Sequence, residues 1–131
     1  MQIDKVILVD DDASIRRIAQ ISLVKLGPWQ VDLASSGTEA LSLLAEQTPD
    51  VLILDVMMPE MDGPTTLGLI REKFPDFNRP VIFMTAKVMT SEVEEYLKLG
   101  AAGVIGKPFN PKDLADEVRK ICHEWAMKNN A

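Results

Sequence analysis

The chain has 131 residues, 47% of them apolar, and a formal net charge of -6. That length suits one domain with its own core, the apolar share excludes an intrinsically disordered chain, and the acidic balance argues against a nucleic-acid surface. The single cysteine, Cys122, excludes an intrachain disulfide, and the absence of a membrane-length apolar run and of a signal-peptide core points to the cytoplasm.

Strands and helices are predicted to alternate. Lys5 to Asp10 reads as a first strand, with Val6-Ile7-Leu8-Val9 apolar throughout, and Asp10, Asp11 and Asp12 follow at its end. A helix is expected from about Ala13, with Ile15, Ile18, Ala19, Ser22, Leu23 and Leu26 at helical spacing and Gly27-Pro28 as its stop. Gln30 to Ala34 is a short second strand. Ser36 and Glu39 have capping-box spacing for the next helix, which turns Ala40, Leu41 and Leu44 inward and ends before Pro49.

Val51 to Leu54 is the third strand, uniformly apolar and closed by Asp55. Gly63-Pro64 opens a helix, with proline at its first position and Leu67 and Ile70 facing the core. Val81 to Met84 is the fourth strand, with Thr85 at its end. Ser91 and Glu94 again have capping-box spacing, and Val93, Tyr96 and Leu97 form a short stripe ending at Gly100. Val104 to Gly106 is the fifth strand, followed by Lys107-Pro108. Asn110-Pro111 caps a last helix whose Leu114, Val118, Ile121, Cys122 and Trp125 share a face, and the tail from Lys128 to Ala131 is expected to fray.

Such alternation predicts an α/β domain, a parallel sheet with helices on both faces. In an open parallel sheet, ligands bind outside the carboxyl ends of the strands, where Asp10, Asp11, Asp55, Thr85 and Lys107 would gather. Taken singly, each has an ordinary reading: a solvated turn, a strand-end hydroxyl bonding its own backbone, a surface lysine. Asp12 is better placed as the cap of the first helix than as a ligand.

Together, strand ends carrying Asp-Asp, Asp, Thr and Lys-Pro in that order resemble the receiver domain of two-component response regulators, over almost the whole chain. The resemblance implies a (βα)5 doubly wound, CheY-like fold with strand order 2-1-3-4-5, carried over from the family. It implies one receiver domain over 1–131, with an ordered core of about 4–127. Asp55 would be the phosphoacceptor, with Thr85 and Lys107 holding the phosphoryl group. Mg2+ would be bound directly by Asp11 and Asp55, through water by Asp10, and by the backbone carbonyl of Met57. Hard oxygen ligands at a half-open site suit that ion. The expected partners are a sensor histidine kinase or phosphotransfer protein and a downstream protein target, with neither nucleic acid nor membrane. The chain would be a switch that catalyses only its own phosphorylation and dephosphorylation.

Three positions depart from or qualify the pattern. Many receivers carry an aromatic residue three before the site lysine; here it is Val104. Met57 and Lys87 stand at the two positions that tune phosphate lifetime in the family, and imply slow loss. The Lys107-Pro108 bond is expected to be cis, as in receivers generally. His123, the one histidine, is assigned no role. A Mg2+-dependent phosphatase with an Asp nucleophile lacks a second acid two residues after Asp55. A flavin-binding fold of similar topology lacks a Ser/Thr/Gly-rich phosphate loop after the first strand.

Overall fold

The computed structural model describes residues 1–129. Its elements are β1 (Lys5–Val9), α1 (Ala13–Leu26), β2 (Gln30–Ala34), α2 (Gly37–Glu46), β3 (Val51–Asp55), α3 (Gly63–Lys73), β4 (Val81–Thr85), α4 (Thr90–Lys98), β5 (Gly103–Gly106) and α5 (Leu114–Asn129). All strand pairs are parallel, in the order β2-β1-β3-β4-β5. The expected fold class and strand order are those observed.

Continuous apolar strands are what a sheet covered on both faces requires. Val51, Leu52, Ile53 and Leu54 are all fully buried, and alternate residues feed two separate cores. Leu8, Ile53 and Met84 face one core, closed by Ala19 and Leu23 of α1 and Leu114, Val118 and Cys122 of α5. Ile7, Leu54 and Phe83 face the other, closed by Ala40 and Leu44 of α2 and Leu67 and Ile70 of α3. Each fully buried aliphatic side chain contributes roughly 1.5–3 kcal/mol relative to an exposed one. Two buried faces also fix the register, since a one-residue slip would exchange the cores.

The helix ends refine the expected boundaries. Asp12 caps α1, its carboxylate accepting from the backbone N–H groups of Ser14 at 2.8 Å and Ile15 at 3.3 Å. Ser36 caps α2 by accepting from Glu39 N–H at 3.1 Å, but Glu39 accepts from the Ser35 hydroxyl at 2.8 Å, so the reciprocal half of a capping box is replaced. In α3, Asp62 is the cap and Gly63 takes the first position, which moves Pro64 to the second.

The expected Ser91 cap is not used. Helix α4 begins at Thr90 behind Met89, without a side-chain cap, and none of its residues is buried. Its far end closes normally: Gly100, at φ 101°, turns the chain so that the N–H groups of Gly100 and Ala101 donate to the carbonyls of Leu97 and Tyr96. Asn110 organises a turn ahead of α5, accepting from Lys112 N–H at 2.9 Å, and the helix proper starts at Leu114. Lys128 and Asn129, expected to fray, stay helical, with Asn129 donating to the Trp125 carbonyl at 2.8 Å; Asn130 and Ala131 lie outside the described residues. In α1, Ile18 and Leu26 prove to be 47% and 44% exposed, because the stripe is wider than the sheet face it covers.

Candidate functional site

Strand order and register build the site. Val9 of β1 is level with Leu54 of β3, so the next residues, Asp10 and Asp55, leave the sheet side by side. Asp10 is 1% and Asp55 2% exposed, whereas Asp11 is solvent-exposed. One carboxylate oxygen from each of the three lies within 4.8 Å of the others. On the other side of β3, Asp55 is level with Met84, so Thr85 stands one step further out on β4. Thr85 is level with Gly106 of β5, and the Lys107 N–H donates to the Thr85 carbonyl at 2.9 Å. The Lys107-Pro108 bond is cis, as expected, and Gly27-Pro28 is cis too.

The Lys107 ammonium crosses the mouth. It donates to Asp55 Oδ1 at 2.9 Å and lies 2.7 Å from Asp10 Oδ2. The second contact is an ion pair whose angles fall short of a hydrogen bond, so the buried Asp10 Oδ2 has no aligned donor. Asp10 Oδ1 accepts from Asp12 N–H at 2.9 Å. Three carboxylates thus face one ammonium. Burial pushes the Asp55 carboxyl up to about 6 from 3.8; the neighbouring Asp10 and Asp11 push the same way, and Lys107 only partly opposes them. For Lys107, burial works against the charged form, but its contacts with Asp10 and Asp55 outweigh it and raise its pKa.

These residues fit a hard divalent cation. The donor set is all oxygen, Lys107 compensates only part of the charge of three carboxylates, and the buried Asp10 Oδ2 has no hydrogen-bond donor. Met57, whose carbonyl was expected to join them, follows Val56 in the loop after β3 with its side chain 64% exposed.

Two supporting residues were missed in the sequence. Arg16, one turn into α1, donates from Nη1 to the Asp10 carbonyl at 2.7 Å and so braces the first acid. Its position four residues after the Asp12 cap was the available signal. Gly63 was read only as a helix opener. Its N–H donates to the Val56 carbonyl at 2.9 Å, and a β-carbon there would lie 2.6 Å from the Asp55 carbonyl oxygen. Only glycine lets α3 start against the strand end that carries Asp55. The Thr85 hydroxyl accepts from Lys87 N–H at 3.0 Å, which leaves its own proton free to donate. His123 is remote, lining a cavity with Met1, Gln2 and Ile3 before β1, and Cys122 is buried, its thiol pushed up to about 12 by burial and by Asp50.

A family profile described as the response regulator receiver domain matches residues 6–119. The chain belongs to that family. Among curated relatives, the receiver is 42% identical over 118 residues to the "Probable transcriptional regulator ycf27" of Guillardia theta, a match covering 90% of this chain and 45% of that protein. It is 36% identical over 125 residues to "Response regulator Rre1" of Synechocystis sp., covering 95% of this chain and 54% of that one. The chain therefore spans about half the length of the curated relatives it matches. Among solved structures, the chemotaxis response regulator CheY4 of Vibrio cholerae superposes with a TM-score of 0.83 at 32% identity, covering 91% of this chain and 98% of that one. A Francisella receiver domain gives a TM-score of 0.81 at 31% identity, covering 92% and 98%. Aspartate phosphorylation, Mg2+ binding at an acidic pocket, and interaction with histidine kinases or phosphotransfer proteins are general to receivers. No helix among the described residues is long and apolar enough to cross a membrane.

Proposed function

We propose that Asp55 is the phosphoacceptor of this receiver. The observation that carries the reading is its placement: a carboxylate 2% exposed at a strand end, with one oxygen bonded to Lys107 and two further acids within reach of one ion. Lys107 holds Oδ1 and leaves the second oxygen as nucleophile. That oxygen attacks phosphorus, an O–P bond forms, and the P–N bond to a donor histidine breaks with its electron pair returning to the imidazole nitrogen, which takes up a proton from solvent. Phosphoryl transfer of this kind asks for positioning and charge neutralisation rather than further covalent chemistry.

Asp11 and Asp55 would hold Mg2+ directly, with Asp10 through water and the Met57 carbonyl as a further ligand. When bound, the ion neutralises charge on the acids and on the incoming phosphoryl oxygens. Lys107 stays within reach as the second cation, and the free Thr85 proton can be donated to a phosphoryl oxygen. Asp12 keeps its cap role. Met57 offers no hydrogen bond to orient an attacking water, which supports slow hydrolysis, and the exposed Lys87 stands close enough in sequence to pair with the phosphoryl group.

The residues support a switch that catalyses its own phosphorylation and dephosphorylation, with a sensor histidine kinase or phosphotransfer protein as donor, a protein as downstream target, and the cytoplasm as its place. The residues 1–131 are read as one receiver domain. The test is incubation with a small acyl phosphate, with and without Mg2+, followed by intact mass. Wild type gains one phosphoryl mass only with Mg2+, and Asp55→Asn gains none. A label that persists in the variant places the acceptor elsewhere.

A further inference from the structure

The end of the sheet opposite Asp55 carries a cavity of about 400 Å3. It lies where β4 begins, at Val81, and is lined from the preceding loop by Phe74, Phe77 and Asn78 and from α5 by Trp125. Phe74 and Phe77 pack on the core beneath α2 and α3, and the Phe77 N–H donates to the Phe74 carbonyl at 2.9 Å, which fixes the loop. Trp125 is half-buried. Arg71 and Arg79 complete the lining, and no Asp or Glu among the described residues contributes to it. In a chain with 20 acids against 14 basic residues, two guanidiniums with an acid-free lining reverse the average surface.

Protein groups leave most donors of both guanidiniums unsatisfied. Arg71 donates from Nη2 to the Gly100 carbonyl at 3.2 Å, and a β-carbon on Gly100, at φ 101°, would collide with that guanidinium. Arg79 pairs loosely, with Asp50 Oδ1 at 4.0 Å, and the other Asp50 oxygen already accepts the backbone N–H groups of Asp4 at 2.8 Å and Lys5 at 2.9 Å. We propose that this cavity binds a phosphate monoester carried on a planar aromatic ring, a purine nucleoside monophosphate being the type. Its volume lies within the roughly 300–1,000 Å3 of small-molecule sites. Guanidinium forks match phosphate oxygens, and a monoester carries a charge of about -1.5 to -2 at neutral pH, which two arginines balance. A single carboxylate would leave one arginine unanswered. Phe74, Phe77 and Trp125 offer apolar ring surface to the base, and the Asn78 amide offers a donor and an acceptor to its edge. The cavity shares no residue with the acid cluster around Asp55, so occupancy does not depend on phosphorylation.

The probe is AMP, titrated in EDTA so that no metal recruits its phosphate to the acid cluster. Binding is measured by calorimetry and located by proton–nitrogen NMR on the indole N–H groups of Trp29 and Trp125, the two tryptophans, assigned with Trp125→Phe. The expected result is saturable binding with a dissociation constant below about 1 mM, a moved Trp125 resonance and an unmoved Trp29 resonance. Arg79→Gln and Arg71→Gln, each with its urea midpoint checked against wild type, should weaken AMP about tenfold, the usual worth of a charge-assisted hydrogen bond. Adenosine and inorganic phosphate should each bind more weakly than AMP by a similar factor. Absence of saturation, or a shift at Trp29 in place of Trp125, would overturn the proposal. So would adenosine binding as tightly as AMP, which removes the arginines from recognition, or inorganic phosphate binding as tightly, which removes the ring.

Discussion

Asparagine at position 55 has nearly the shape of aspartate and no charge, so Asp55→Asn isolates the electrostatic strain of the metal-free site. Folding raises the Asp55 carboxyl from 3.8 to about 6. A raised folded pKa means that its contribution to stability is fully present below pH 3.8 and is lost as pH rises through about 6. A shift of roughly two units corresponds to about 3 kcal/mol against the folded state at neutral pH. That rise is already net of the Lys107 contact at 2.9 Å, and in the variant Lys107 keeps its partner Asp10 at 2.7 Å. The net expectation is that metal-free Asp55→Asn is about 1–3 kcal/mol more stable than wild type at pH 8. The gap should hold at pH values well above about 6 and shrink as pH falls from there towards 3.8. The assay is urea unfolding in EDTA for both proteins across that range. Mg2+ at ten times its dissociation constant should return about 1.4 kcal/mol to wild type and little to the variant. A variant less stable than wild type by the same margin at every pH would refute the reasoning, because the Lys107 contact would then outweigh the repulsion.

Asp11→Asn removes an exposed charge, so in EDTA it should raise the melting temperature less than Asp55→Asn does, and high salt should narrow the gap. With Mg2+ it should lose most of the wild-type gain; a full Mg2+ shift would exclude Asp11 as a ligand. Gly63→Ala sets a β-carbon 2.6 Å from the Asp55 carbonyl oxygen and should cost roughly 1–3 kcal/mol in urea unfolding, with slower phosphoryl uptake measured by mass. Val104→Ala should take up phosphoryl groups at the wild-type rate and change partner affinity little, as measured by calorimetry, because the aromatic contact on Phe83 comes from Tyr96.

The central strands β1, β3 and β4 were legible because each is a short apolar run that follows Asp or Pro closely, and burial on both faces demands that composition. The acids were legible as a site because topology brings the ends of β1 and β3 together once the order is known. The order itself came from the family likeness. Helix faces were less legible: Ile18 and Leu26 keep the helical spacing of Leu23, yet spacing alone does not tell how wide a stripe the sheet covers. Capping spacing was ambiguous in the same way. Ser36 and Ser91 both precede a Glu by three residues, but only Ser36 sits where its hydroxyl meets a free N–H. Tyr96 meets Phe83 across the fold, with no local motif to mark it, whereas Arg16 was marked only by its spacing from the Asp12 cap.

The central claim concerns one oxygen of one side chain. Treating the phosphorylated protein with borohydride reduces an aspartyl phosphate to homoserine, because hydride displaces phosphate from the activated carbonyl and reduces the carbon to an alcohol. Peptide mass mapping after treatment with acyl phosphate, Mg2+ and borohydride should find homoserine at position 55 and unaltered aspartate at positions 10, 11 and 12. Homoserine at Asp10 or Asp11, with Asp55 intact, would contradict the account.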